Sequence, residues 1–183
     1  MRWPWQRKRE KRPPRVGLAL SGGSVRGAAH IGVLEVLEAA GIRPDCVAGT
    51  SAGSVVGAVY CAGMPLSEIK RLARQLQWSK LVRLTRPRLG FLDTQRLEDY
   101  LNEVLNGRTF EELEIPFAAV AVDILRGEVV VLREGPVAPA VRASCSLPGV
   151  AVPVQWNDRL LVDGGVLNNL PVSPVREMGA EYV

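Results

Sequence analysis

A serine lies between two glycines in the segment G-T-S-A-G at residues 49–53, directly after a short apolar run. The apolar run predicts a buried strand, and the residues from Ala52 to Ala62 predict a helix. At a strand-to-helix junction, G-x-S-x-G is the pattern of a nucleophile elbow, a tight turn that exposes the oxygen of Ser51. Gly49 and Gly53 would flank this turn because larger side chains would clash there. Small residues also join strands to helices for packing alone, so this pattern by itself leaves a purely structural role open.

A serine hydroxyl needs a neighbouring base to become a nucleophile, and that base is usually histidine. The one histidine of the chain, His30, precedes Ser51 inside a predicted helix, which does not fit the order found in α/β-hydrolases. We therefore predict a helix or core role for His30, and a carboxylate would have to serve as the base. Asp163 is the candidate, because it ends an apolar strand and a parallel sheet brings strand ends to one edge. Asp-Gly is also a common turn pair, so Asp163 alone does not distinguish a base from a turn residue.

A glycine-rich loop follows the first predicted strand, at residues 16–20. Gly22, Gly23 and Ser24 precede a helix N-terminus, where free N–H groups and the helix dipole favour an anion. They are candidates for an oxyanion hole, in which each donor is worth about 3 kcal/mol. Arg26 is a candidate to brace the loop or to attract an anionic substrate. Nucleotide binding is disfavoured, because the order is not G-x-G-x-x-G, no acid ends the second strand and no G-K-[ST] follows.

Positive charge is concentrated in two segments of a chain whose formal net charge is +4. Residues 1–15 and 69–92 hold 14 of the 23 basic residues and one of the 19 acidic ones, which leaves a net charge of −9 elsewhere. Such segments favour an anionic membrane surface, and so do four aromatic side chains within them, Trp3, Trp5, Trp78 and Phe91. A solvated tail and a solvated helix face would explain the same pattern. No recognition helix or RNA-binding motif is present, so no nucleic-acid partner is expected.

The length of 183 residues and the hydrophobic content of 47% suit one α/β domain with a core. We predict a flexible basic tail over residues 1–15 and a folded domain over residues 16–183. No apolar run approaches the roughly 18–20 residues of a membrane span, and residues 1–15 lack the apolar region of a secretory signal. The cysteines fit neither a metal site nor a disulfide framework, which favours a reduced, cytoplasmic setting. These cysteines are Cys46, Cys61 and Cys145.

Alternating strands and helices predict an α/β layered fold. Residues 117–124 and 128–132 predict a hairpin, and residues 160–162 predict a short strand before Asp163. Residues 109–112 carry a capping box. We predict helices over residues 28–40, 66–76, 94–105, 136–142 and 171–178, a mobile flap over residues 78–92, and a turn with the start of another strand over residues 179–183.

Four segments occur in the order found in one known family. They are SGGSVRG at residues 21–27, GTSAG at 49–53, ASCSLPG at 143–149 and DGGVLNNLP at 163–171. From Val16 to its C-terminus the chain resembles the patatin-like phospholipases, especially their compact bacterial members. The resemblance implies a three-layer α/β fold, with a mostly parallel central sheet and helices on both faces.

The resemblance also implies a Ser–Asp dyad, with Ser51 as nucleophile, Asp163 as base, Gly22 to Ser24 as the oxyanion hole and Arg26 as the loop arginine. Members of the family hydrolyse acyl esters of lipids and need neither a metal nor an organic cofactor. Many carry a third glycine where this chain has Ser24, and their domain commonly continues beyond the point where this sequence stops, so we expect a C-terminally truncated domain.

These observations predict a cytoplasmic serine acyl hydrolase that acts on phospholipid or lysophospholipid esters and binds peripherally at the inner face of the membrane. Two alternatives stay open: a soluble esterase or thioesterase, and a non-enzymatic regulatory or scaffold protein that retains the fold.

Overall fold

The computed structural model describes residues 13–75, 83–84 and 91–183. Its strands are β1 Gly17–Leu20, β2 Cys46–Thr50, β3 Arg83–Leu84, β4 Leu92–Asp93, β5 Phe117–Asp123, β6 Glu128–Leu132, β7 Val154–Trp156 and β8 Arg159–Asp163. Its α-helices are α1 Ala29–Ala39, α2 Ala52–Cys61, α3 Leu66–Gln75, α4 Gln95–Val104, α5 Val137–Ser144 and α6 Val172–Glu177. Three short 3₁₀ turns cover Ser24–Ala28, Phe110–Glu112 and Gly164–Val166.

The main sheet is mixed. β1, β2 and β5 run parallel to one another, and β2 lies between the other two. β6 and β8 pair antiparallel with β5, and β7 pairs antiparallel with β8. Two short strands outside this sheet, β3 and β4, pair with each other. The parallel part of the sheet therefore carries the serine elbow and the glycine loop.

Helices cover both faces of the sheet, as predicted. On one face, a large apolar core joins Val47, Phe117 and Ala119 to α1 through α5. On the other face, Ala48 and Ala118 pack with Val175 of α6 in a smaller core. Neighbouring residues of one strand enter different cores because successive side chains of a strand point to opposite faces. Both faces are thus buried, which explains why the central strands are apolar without interruption.

The local predictions are largely confirmed. β5 and β6 form the expected hairpin, and the Thr109 capping box is present with both of its hydrogen bonds. Tyr182 forms a parallel bridge with Val16 beside β1, as a short strand start would. β7 was not predicted, because Val154, Gln155 and Trp156 offer too short a run to show a period.

No helix in the described part of the chain is long and apolar enough to cross a membrane. Residues 1–12, 76–82 and 85–90 lie outside the description. Residues 1–12 of the predicted flexible tail and most of the predicted flap at residues 78–92 fall there, and so do Trp3, Trp5 and Trp78. Arg15, at the end of that tail, is described, and its carbonyl accepts hydrogen bonds from the N–H groups of Glu181 and Tyr182.

Candidate active site

The candidate nucleophile and the candidate base lie where two strands meet along one edge of β5. Over residues 119–123 the other edge of β5 is occupied by β6, so β2 and β8 must both pair along the remaining edge. β2 arrives with Thr50 opposite Val120, and β8 arrives from the opposite direction with Asp163 opposite Ala121. Because neighbouring positions along a strand are about 3.3 Å apart, the two strands meet end to end.

Asp163 therefore reaches the site by a different route from the predicted one. A parallel strand was expected to carry it to the edge of the sheet, whereas β8 runs antiparallel to β5 and delivers Asp163 from the far side. Asp163 fills the register position that follows Thr50. The chain after Thr50 cannot continue as a strand there and turns away at Ser51.

The turn at Ser51 has the strained geometry of the predicted elbow. Ser51 has φ 52° and ψ −122°, a region that costs a non-glycine residue about 1–3 kcal/mol. A Cβ on Gly49 would lie 2.7 Å from the Cα of Ser54, and one on Gly53 would lie 2.6 Å from the carbonyl carbon of Leu20. Backbone therefore fills the space beside both glycines, which is why residues with side chains do not fit.

Ser144 connects the elbow at Ser51 to β5 by hydrogen bonds. Its fully buried hydroxyl accepts a hydrogen bond from the Ser51 N–H at 2.8 Å and donates to the Val120 carbonyl at 2.6 Å. This bridge ties the first residue after β2 to β5 at the junction itself. No role for Ser144 was predicted from the sequence. The available signal was a hydroxyl at the end of a mostly apolar helix, inside the A-S-C-S-L-P-G segment.

Asp163 is a buried carboxyl group, with 5% of the residue exposed. Its Oδ1 accepts a well-aligned hydrogen bond of 2.7 Å from the Gly165 N–H. Burial raises the pKa of Asp163, and hydrogen bonding from the Ser51 hydroxyl and from Gly165 offsets part of that rise. The contact between the Ser51 hydroxyl and the Asp163 carboxyl group is not a well-aligned hydrogen bond in the described structure. Catalytic contacts of this kind often tighten only when substrate binds.

Cys145 lies beside the pair but is not equipped to act as a second nucleophile. Burial, followed by the negative charge of Asp163, raises the pKa of the Cys145 thiol to about 12. A neutral thiol is a poor nucleophile, because the thiolate is the reactive form. Its sulfur lies 3.9 Å from the hydroxyl of Ser54, which itself donates to the Ser51 carbonyl at 2.6 Å.

Among the described residues, two of the three N–H groups expected to form the oxyanion hole have no acceptor, and their residues line the cleft that contains Ser51. The N–H of Gly22 donates to the Asn169 carbonyl at 3.1 Å and is therefore not available to a ligand. The N–H of Gly23 makes no hydrogen bond to any residue that the structure describes. Ser24 begins the 3₁₀ turn, where an N–H has no acceptor within the turn. The expectation for Gly22 is thus not supported, whereas Gly23 and Ser24 remain candidate donors.

Ser24 stands where the resemblance leads one to expect a third glycine, and its backbone has a conformation that suits glycine. Its φ is 52°, in the left-handed region that a glycine adopts without strain. The loop is closed behind it by a 3.1 Å hydrogen bond from the Arg26 N–H to the Gly23 carbonyl. The exposed side chain of Arg26 lines the same cleft as Ser51.

His30 supports the loop and does not line the cleft that contains Ser51. Its Nε2 lies 2.8 Å from the Ser21 carbonyl oxygen. Because a carbonyl only accepts, Nε2 must carry the proton in this contact. The position within α1 agrees with the predicted helix role.

A cleft of about 580 Å³ opens over Ser51 and Asp163. The glycine loop lines one part of it, and the start of α4 and residues 145–151 line another. Arg142, just before residues 145–151, connects them to α4. Its guanidinium, on a side chain that is 14% exposed, bonds to Thr94 at 3.1 Å and to Glu98 at 2.9 Å.

The described residues of the second basic segment lie on α3, on β3, at Phe91 and at the start of β4. Lys70 pairs with Glu35 at 2.8 Å, and Arg71 pairs with Glu68 at 3.1 Å, so these two charges are partly neutralised within the protein. Phe91 is 57% exposed.

Comparison with known proteins finds relatives whose sequences align with almost the whole chain. An uncharacterized NTE family protein of Mycobacterium tuberculosis is 39% identical over 178 residues, which are 96% of this chain and 49% of that protein. The human patatin-like phospholipase domain-containing protein 6 is 36% identical over 178 residues, which are 92% of this chain and 13% of that protein. The chain thus spans about half the length of the mycobacterial relative and a small part of the human one.

Two solved structures share the fold. VipD from Legionella pneumophila superimposes with a TM-score of 0.68 at 17% identity, over 87% of this chain and 47% of VipD. ExoU, solved in complex with SpcU from Pseudomonas aeruginosa, gives a TM-score of 0.59 at 20% identity, over 79% of this chain and 40% of that chain. A family model described as patatin-like phospholipase matches residues 18–176, which include the elbow, the glycine loop and Asp163. The chain belongs to the patatin-like phospholipase family.

Proposed function

We propose that this chain is a serine acyl hydrolase that uses Ser51 and Asp163 as a dyad to cleave fatty-acyl esters of phospholipids or lysophospholipids. The observation that carries the proposal is the end-to-end meeting of β2 and β8, which brings Ser51 and Asp163 together in one cleft. Membership of a phospholipase family supports the lipid substrate.

The reaction begins when the Ser51 oxygen attacks the ester carbonyl carbon and the hydroxyl proton passes to the Asp163 carboxylate. The carbonyl π electrons move onto oxygen and give a tetrahedral oxyanion. This intermediate collapses with cleavage of the bond to the alcohol, which takes the proton from Asp163. Water then attacks the acyl-enzyme, gives a proton to Asp163 and releases the fatty acid as the Ser51 oxygen recovers that proton.

The raised pKa of Asp163 suits its proposed part in these steps. A carboxylate of ordinary pKa is a weak base toward an alcohol, and burial makes it a stronger one. The free N–H of Gly23 and that of Ser24 are the proposed donors to the oxyanion. They are fixed before the substrate arrives, because the loop is closed by its own backbone bond and held by His30.

We expect Ser51→Ala to lower kcat/KM for a lysophospholipid by about a thousandfold or more, since no other group replaces the nucleophile. His30→Ala removes one hydrogen bond to the loop, and we expect kcat/KM to stay within about tenfold of the parent. Turnover and circular dichroism would be measured for both variants. Full turnover by Ser51→Ala would contradict the proposal, and so would loss of turnover in a folded His30→Ala protein that matched the loss in Ser51→Ala.

We further propose that the mouth of the cleft docks on an anionic lipid surface. Exposed apolar side chains occur at or next to residues that line the cleft, namely Val25, Phe91, Leu147, Val150, Val166 and Leu170. Exposed apolar groups around one opening are a typical interaction surface. The basic segments 1–15 and 69–92 would add attraction to anionic headgroups.

Liposome sedimentation tests this docking. We expect Leu147→Glu and removal of residues 1–15 each to weaken binding to anionic liposomes, and added salt to weaken it further. Val36→Glu is the matched control, because Val36 is 69% exposed on α1 and does not line the cleft. Equal effects of the Leu147 and Val36 changes would contradict docking through the mouth and would favour a soluble esterase or thioesterase.

A non-enzymatic regulatory or scaffold protein would retain the same fold without using Ser51. Labelling of Ser51 by a fluorophosphonate probe distinguishes the two, because the probe reacts only with an activated serine.

A further inference from the structure

A second cavity, of about 220 Å³, lies next to the active-site cleft. Ser24 and Ala52 line both spaces, so the two meet at these residues. Apart from Ser24 and Tyr100, every described side chain that lines this second cavity is apolar. Water finds few partners in such a space, and an apolar ligand is favoured there.

One face of α2 forms the floor of this apolar cavity and begins beside the nucleophile. Ala52, Val55, Val56 and Val59 all line the cavity, and their spacing places them on a single helix face. The first of them directly follows Ser51. At a rise of about 1.5 Å per residue, the face extends about 12 Å from Ser51 to Val59.

The remaining walls come from three other helices. Ile31 of α1, Ile69 and Leu72 of α3, and Tyr100 and Leu101 of α4 complete the cavity. α3 packs on α1 and α2, and α4 packs on α5, which itself packs on α2, so the cavity lies among these packed helices. Val59, Ile69 and Leu101 are buried, so the inner part of the cavity belongs to the core.

We propose that this cavity is the subsite for the fatty-acyl chain of the substrate. The inference rests on the proposed function, and it adds the place where the chain is held and the side chains that set its length. With the ester carbonyl at Ser51, the first methylenes pass Ser24 and Ala52, and the rest of the chain lies along α2 toward Val59. The headgroup stays in the wider cleft, which Arg26 lines.

The size of the cavity sets an expected chain length. A methylene takes about the volume of a water molecule, roughly 30 Å³, so the cavity accommodates roughly seven methylenes. A decanoyl chain would fill it together with the stretch beside Ser51. A butyryl chain would end near Ala52 and would leave the cavity empty.

Filling the cavity is therefore expected to change the preference for acyl length. With p-nitrophenyl esters, Val59→Phe should lower kcat/KM for the decanoate by about tenfold or more and leave that for the butyrate within about threefold. Val104→Phe, at the half-buried outer end of the cavity, is expected to act in the same direction and carries the test where Val59→Phe does not fold. Val36→Phe is the matched control, because it adds the same group to an exposed helix position. Equal losses for both esters, or an unchanged decanoate rate in two folded cavity variants, would overturn the proposal.

A binding experiment separates this inference from the proposed function. In the Ser51→Ala background, decanoate should bind when measured by isothermal titration calorimetry, and the additional change Val59→Phe should weaken its binding by about tenfold while Val36→Phe does not. Such binding, with a parent protein that hydrolyses no ester, would support the subsite and contradict the proposed hydrolase function. Absence of decanoate binding, or binding unaffected by Val59→Phe, would contradict the subsite even if esters are hydrolysed.

Discussion

Asp163→Asn is expected to lower kcat/KM by about a thousandfold while making the folded protein more stable at neutral pH. The amide keeps the size of the side chain and accepts the Gly165 hydrogen bond, but it does not take a proton from Ser51. A general base contributes about 10²–10⁴-fold to a rate, which sets the size of the expected loss. Ester hydrolysis by the purified variant, compared with Ser51→Ala, measures it. A rate near that of the parent would show that another group is the base.

The gain in stability follows from the raised pKa of Asp163. A carboxyl whose pKa is raised by folding binds its proton more tightly in the folded state than in the unfolded one. Its contribution to stability is fully present below the unfolded pKa, about 3.9, and is lost as the pH rises through the raised folded value. At neutral pH the parent therefore carries an ionised group in an unfavourable place, and Asn removes that cost. Urea unfolding of both proteins between pH 4 and pH 8 should show a difference that disappears on the acid side.

Asp123 provides a control, because its pKa is shifted in the opposite direction from that of Asp163. It is also fully buried at a strand end, and burial alone would raise its pKa. Hydrogen bonds from the Arg126 side chain and from the N–H groups of Leu125 and Arg126 outweigh burial and lower the pKa. Asp123→Asn is therefore expected to destabilise the protein at neutral pH. If both substitutions changed stability in the same direction, the explanation from pKa would fail.

The raised pKa of Asp163 also predicts the pH profile of ester hydrolysis by the parent protein. As the proposed base, Asp163 must be ionised to accept a proton, so kcat/KM should fall as the pH drops through its raised pKa. The acid limb is thus expected above the ordinary range of an aspartate, about 3.9. A limb at or below that value in a folded protein would contradict the raised pKa.

The elbow and the hairpin were predictable because their causes are local. Gly49, Ser51 and Gly53 occur within five residues, and the turn that joins β5 to β6 is short. The helix that follows Ser51 and the capping box at Thr109 likewise depend on neighbours in the sequence. Spacing alone was enough for these elements, since a tight turn leaves few alternatives for the residues in it.

The arrangement around Asp163 was not predictable in the same way. An apolar run before Asp163 gives a strand but not its direction, and the parallel assignment was wrong because pairing with β5 is decided by residues some forty positions away. The hydrogen bond from Ser51 to Ser144 spans 93 residues, and the bond that removes the Gly22 N–H depends on Asn169. These contacts come from packing of distant segments, which no local pattern encodes.

Gly53→Ala is expected to destabilise the protein by about 3 kcal/mol or more and to abolish ester hydrolysis. The added methyl group would lie 2.6 Å from the Leu20 carbonyl carbon and 2.7 Å from the Ser21 carbonyl oxygen. These are backbone atoms at the end of β1, so relief requires the glycine loop and α2 to move apart, and such overpacking costs about 1–3 kcal/mol even where side chains yield. The movement would separate Gly23 from Ser51. Thermal unfolding and ester hydrolysis measure the two effects.

Gly32→Ala isolates the steric part of this effect. Gly32 lies inside α1 with nothing within 4 Å of an added Cβ, so alanine there gains only its helix propensity, about 1 kcal/mol. We expect the Tm of Gly32→Ala to rise by about 2–4 °C, with unchanged hydrolysis. Both substitutions replace a helical glycine by alanine, and the difference between them therefore measures the close approach of β1 to the elbow. Equal changes in Tm would mean that β1 does not press against Gly53, and the elbow would then lack the support on which the position of Ser51 depends.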